Sequence, residues 1–135
     1  MGTRSDYYVG RGATAEWLGS AANDGYFDGV PCAIREATSE AAFRAAVTEY
    51  LTSRRDGTTP DLGWPWPWED SATTDYAYAF DTDAVYASHY GCPWVPAAGK
   101  ESVHPENGEP PVFPDMTARK AVTFGARSGL IVFGR

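Results

Sequence analysis

The segment Gly63-Trp64-Pro65-Trp66-Pro67-Trp68-Glu69-Asp70 limits the folds open to this chain more than any other. Alternating prolines hold the backbone near polyproline II and remove amide donors, so this stretch is neither a helix interior nor a central strand. Three indoles on such a ribbon point in different directions and are not expected to sink into one side. Trp64 and Trp68 are read as a clamp on the core. Trp66 is read as the partner contact, a rigid aromatic that loses little entropy on binding.

Regular elements flank this block. From Ser39 to Arg54, Phe43, Val47, Tyr50 and Leu51 fall on one helical stripe. Thr38 or Ser39 supplies an N-terminal cap, Glu40 suits the positive end of the dipole, and Arg54 and Arg55 suit the negative end. After the block, Tyr76-Ala77-Tyr78-Ala79-Phe80 alternates large and small residues with period two. Asp81-Thr82-Asp83 then reads as a turn and Ala84–Tyr90 as the returning strand. Asp6-Tyr7-Tyr8-Val9 reads as an opening strand, Ala13 to Leu18 as one or two helical turns stopped by Gly19, and 19–31 as a loop. Ser128–Phe133 is an apolar run expected to form a central strand. Six of the ten prolines lie between 91 and 115, which predicts a long Pro/Gly-rich acidic surface loop. The fold class expected is α+β, an antiparallel sheet of about four or five strands with one main helix packed on it.

With 135 residues, 43% of them hydrophobic, the chain fits a single domain spanning 1–135 with a core of its own. No apolar run approaches the length of a membrane span, and the start, Met1 to Asp6, is no secretory leader, so a cytoplasmic location in the host cell is expected. Cys32 and Cys92 then read as reduced, partly buried thiols rather than a bridge.

Charge is segregated. Residues 1–57 hold six arginines against eight acids; residues 58–115 hold Lys100 alone against ten acids; residues 116–135 carry four basic residues and no acid. A negative middle segment suits a cationic partner surface, such as the phosphate-binding groove of a nucleic-acid-handling protein. Direct nucleic-acid binding is not expected, because phosphate neutralisation needs a net basic face. The candidate partner-binding residues are Trp66, Glu69, Asp70, Asp75, Asp81, Asp83, Glu106 and Glu109.

Catalytic signatures are weak by comparison. Gly10-Arg11-Gly12 is half of a phosphate-binding loop whose third glycine is replaced by Ala15. With Arg11, Tyr7, Tyr8 and a nearby glutamate it defines an alternative, a small nucleotide- or ligand-binding enzyme domain. Asp81 and Asp83 are explained by their turn, and His89 with Cys92 lacks the further ligands zinc needs. No metal, cofactor or catalytic residue is assigned.

Ser5–Gly12, Glu16-Trp17-Leu18-Gly19, the Trp-Pro block and the Ser128–Phe133 ending together resemble small accessory proteins of phage and prophage regions. The resemblance covers most of the chain and supplies no residue roles. It implies a context in which short acidic proteins act as inhibitors of host defence complexes, anti-CRISPR proteins among them, some by placing carboxylates where DNA phosphates would lie. The leading expectation is therefore a non-enzymatic, DNA-mimicking module that docks on a basic host protein or nucleoprotein complex and inhibits it. A phage structural or assembly protein is the remaining alternative.

Overall fold

Ser5–Val9 (β1) lies inside a sheet covered on both faces, which is why Tyr7 and Tyr8, pointing to opposite sides, are both buried. The computed structural model describes residues 2–98 and 109–120. Glu16–Ala21 (β2) returns antiparallel to β1. Cys32–Arg35 (α1) and Glu40–Thr52 (α2) then cross one face and lead to Gly57–Thr58 (β3), which pairs with the end of β2. Tyr76–Asp81 (β4) and Ala84–His89 (β5) form a hairpin, and Val95–Pro96 (β6) adds to β5. The order across the sheet is β3-β2-β1-β4-β5-β6.

The protein is α+β, but among the described residues its sheet is mixed and six-stranded, not antiparallel with four or five strands. The parallel step joins β1 to β4, with Ser5 opposite Tyr76 and Val9 opposite Phe80. That pairing links segments far apart in sequence, so no local pattern announces it. The strands β3 and β6 have two residues each, too short to leave a period.

A second correction concerns Ala13 to Leu18, expected to be helical. Residues 16–21 are strand, and Gly19 does not stop a helix but lies within β2. Its φ of 145° and the backbone of Thr58 and side chain of Leu51 against its α-carbon leave no room for a side chain. The register slips there: Tyr7 faces Gly19 and Tyr8 faces Trp17, so Leu18 is bulged out.

The helix and hairpin form as their patterns indicate. Ser39 Oγ accepts from the Ala42 amide at 3.1 Å and caps α2. Phe43, Val47 and Leu51 bury one stripe of α2 against Tyr7, Ala21, Tyr78 and Phe80. In the β4–β5 hairpin the loop is Thr82-Asp83, with Thr82 at φ 65°. The buried guanidinium of Arg35 lies on the Phe27 ring and donates to the carbonyls of Val30 and Ala97, tying α1 to the residue after β6. Cys32 and Cys92 are free thiols and exposed, not partly buried.

Asp56 fastens the start of β3 to the turn after β2. It accepts from Arg54 Nε at 2.7 Å and from the Asn23 amide at 2.8 Å. The Arg54 guanidinium, more than the partial burial that opposes it, lowers the Asp56 carboxyl to about 2. A folded-state value below the unfolded one stabilises the fold above the ordinary carboxylate range, and that stability disappears as pH falls through about 2. Asp56→Asn is expected to cost about 2 kcal/mol at pH 7 and much less near pH 2, read from urea unfolding at both pH values.

Candidate functional site

The face of the sheet opposite α2 is built from the small residues of β4. Ala77 and Ala79 leave a shallow surface beside Tyr8, which separates them from Trp17 on β2, and the Trp-Pro block packs into the same cluster. Trp64 is buried edge-on against Trp17, with ring centroids 5.4 Å apart. Phe113 and Met116 pack over the same cluster, and the Met116 amide donates to the Glu69 carbonyl at 2.7 Å. All three indoles of the block therefore meet one face, against the expectation that they would diverge. The backbone bends continuously over residues 66–70, which breaks the polyproline geometry that would have splayed them.

Trp66 and Trp68 are half-buried at the edge of this cluster and stack nearly parallel, centroids 5.6 Å apart. Their polar edges point inward. Trp66 Nε1 donates to Asp6 Oδ1 at 2.7 Å, and Trp68 Nε1 donates to Thr74 Oγ1 at 2.8 Å.

Asp6 is the hub of this face. It is fully buried on β1 and also accepts from Ser20 Oγ at 2.6 Å and Ser71 Oγ at 2.7 Å. Trp17 Nε1 donates to Ser20 in turn. Since Ser71 gives its proton to Asp6, the 2.7 Å contact with Tyr8 is a bond from the Tyr8 hydroxyl to Ser71. Burial raises the Asp6 carboxyl above its ordinary value; the bonds from Ser20, Trp66, Ser71 and Thr74 oppose that shift without cancelling it. Burial also raises the Tyr8 hydroxyl, with the Asp6 carboxylate adding to the effect, so Tyr8 stays a neutral donor.

Above the stacked pair sits Arg4. Its guanidinium carbon is 5.7 Å from the Trp66 centroid and 5.4 Å from that of Trp68. Arg4 Nη1 reaches Asp75 Oδ2 at 3.5 Å, and the Arg4 amide donates to the same oxygen at 2.9 Å.

The candidate residues divide into two groups. Trp66 and Asp75 meet Arg4, and exposed Glu69 and half-exposed Asp70 follow Trp68 in the chain. Asp70 caps the short helical turn Ser71–Thr73 through the Ala72 amide. Asp81 and exposed Asp83 lie at the opposite end of β4, about 20 Å from Asp75 at the usual rise per strand residue. There Arg11 Nε donates to Asp81 at 2.8 Å and the guanidinium lies 3.8 Å from the Tyr86 centroid. Glu109 is exposed, and Glu106 lies outside the described residues, as do His104 and Ser128–Phe133. The sequence reading missed Arg4, Asp6, Ser20, Ser71 and Trp68 as members of the site. The one available signal was an acidic residue, Asp6, inside a β-prone run.

Arg11 is engaged with Asp81 and Tyr86, while Glu16 is held by Arg44 at 2.7 Å. An open groove of about 500 Å³ runs between α2 and residues 59–61, but its one cation, Arg44, is shared between Glu16 and Glu40. Among the described residues no three His, Cys, Asp or Glu side chains are grouped to hold a metal ion. No described helix is long and apolar enough to cross a membrane. No protein-family model matches the chain, and neither a curated protein nor a solved structure shows significant similarity to it.

Proposed function

We propose that the chain is a non-enzymatic binding module whose contact surface is the Trp66–Trp68 edge with its acidic rim. The observation that carries this reading is the stacked pair itself. Two half-exposed indoles are held by part-buried hydrogen bonds through their inner edges, so they present a rigid apolar surface with little entropy left to lose. Glu69 and Asp70 follow them in the chain, and Asp115 precedes Met116, whose amide bonds the Glu69 carbonyl; none of the three carboxylates has an ion pair among the described residues. Asp75 and Asp81 are each met by an arginine and add less to the outward field.

An aromatic centre with a negative rim suits a basic protein surface, the rim speeding association and the indoles slowing dissociation. A nucleic-acid-handling host protein or nucleoprotein complex, inhibited by occupation of its phosphate-binding groove, is the partner class this reading names. The charge layout supports that choice: ten acids against one lysine over residues 58–115.

Capture of host-cell proteins on the immobilised chain tests the proposal. A basic protein is expected to be retained at low salt and released by about physiological salt. Trp66→Ala combined with Trp68→Ala is expected to weaken its binding about thirtyfold or more. Glu69→Gln with Asp70→Asn is expected to slow association and flatten the salt dependence. A captured protein indifferent to salt and to all four substitutions would overturn the reading.

A further inference from the structure

We infer that the Trp66–Trp68 pair with Asp75 is a binding site for an arginine side chain, and that the chain's own Arg4 fills it. The Arg4 guanidinium carbon and the two ring centroids form a nearly equilateral triangle with sides of 5.7, 5.4 and 5.6 Å. The cation thus lies over both indoles at once while one of its nitrogens faces a carboxylate. A planar, weakly hydrated guanidinium suits that arrangement better than a compact, strongly hydrated ammonium.

Arg4 holds the place loosely. Its guanidinium makes a single contact with Asp75, at 3.5 Å, and its side chain is 44% exposed. Exposed ion pairs and exposed cation–π contacts are both weak, so a second guanidinium can exchange with it, like for like.

Removing the Arg4 side chain leaves the site standing. Trp66 is fixed by Asp6 and Trp68 by Thr74, neither through Arg4. The backbone role of Arg4 also survives substitution: its amide bonds Asp75 Oδ2 and its carbonyl accepts from Tyr76. Arg4 is thus an internal competitor, and any incoming arginine is bound more weakly by the fraction of time the site is taken. The inference rests on the binding-module reading for the source of that arginine, the surface of a basic partner. The site itself can be tested without the partner.

The test is titration of the full chain with blocked arginine (N-acetyl-arginine amide), followed by the indole N–H signals of Trp66 and Trp68 in NMR spectra. Arg4→Ala is expected to bind it about tenfold more tightly than the parent, the size set by one cation–π contact and one half-exposed ion pair. Blocked lysine is expected to bind Arg4→Ala more weakly than blocked arginine does. Adding Trp68→Ala or Asp75→Asn to Arg4→Ala is expected to remove the gain. If Arg4→Ala does not fold, Arg4→Gln, which keeps the aliphatic stem, carries the same expectations.

A folded Arg4 variant that binds blocked arginine no better than the parent, or no better than blocked lysine, would overturn the assignment. Tight binding of blocked arginine without capture of any basic protein would remove the docking reading and leave the arginine site in place.

Discussion

Trp64→Ala is expected to lower the unfolding free energy by about 3–5 kcal/mol. The side chain is 1% exposed and fills the hollow over Ala77 and Ala79, edge-on to Trp17. Its Nε1 donates to the Trp68 carbonyl at 2.7 Å, and its amide donates to the Arg119 carbonyl at 2.7 Å. Truncation therefore opens a cavity and removes the bond that shapes the bend leading to the stacked pair. Urea unfolding followed by far-ultraviolet circular dichroism measures the loss. A change under about 1 kcal/mol would mean that this face of the sheet is not part of the core.

Asp6→Ala is expected to destabilise to a similar extent, about 3–5 kcal/mol, by a different route. Hydroxyls of Ser20 and Ser71 and the indole of Trp66 lose their common acceptor inside the protein, where water cannot replace it. Trp66 should also lose its fixed orientation, seen as a shift of its indole N–H signal.

The acid itself has a pH signature of opposite sign to that of Asp56. Burial holds the folded-state value of Asp6 above the unfolded one, so the native state binds more protons between the two. Its contribution is fully present below the unfolded value and is lost as pH rises through the folded one. Asp6→Asn removes that loss, and its stability relative to the parent is therefore expected to improve as pH rises above the ordinary carboxylate range. Urea unfolding of both proteins across that range measures the difference in slope; parallel curves would place the Asp6 carboxyl at its ordinary value.

The parts of this fold legible in sequence are those made by neighbours. The stripe Phe43, Val47, Leu51 and the capping Ser39 specify α2 within one turn of its ends, and the alternation over 76–80 specifies β4. What sequence does not show is what covers a strand. Asp6 reads as a polar residue in an edge-like run; it is buried because Trp66, Ser71 and Trp17 arrive from distant segments and bring their donors. Gly19 carries the same lesson. A glycine after Trp17-Leu18 is a natural helix stop, yet here it lets Leu51 and Thr58 approach β2 where any side chain would intervene.

The candidate site was half legible for the same reason. Rigid tryptophans between prolines mark a contact surface whatever the fold, which singles out Trp66 and the adjacent Glu69 and Asp70. Spacing along the chain says nothing of the bend that sets Trp68 beside Trp66, or of Arg4 reaching across from before β1. That Asp75 and Asp81 stand at opposite ends of one strand, by contrast, follows from the alternation over 76–80.

The single parallel ladder between β1 and β4 gives the molecule the build of a hinged box. Each half, β3-β2-β1 and β4-β5-β6, is an antiparallel set with its own pairings. The two leaves are joined along that seam, covered on one side by α2 and on the other by the tryptophan layer. Both layers rest on the same seam strands, so a loss in the tryptophan layer bears on β1 and β4, the strands that α2 also packs against.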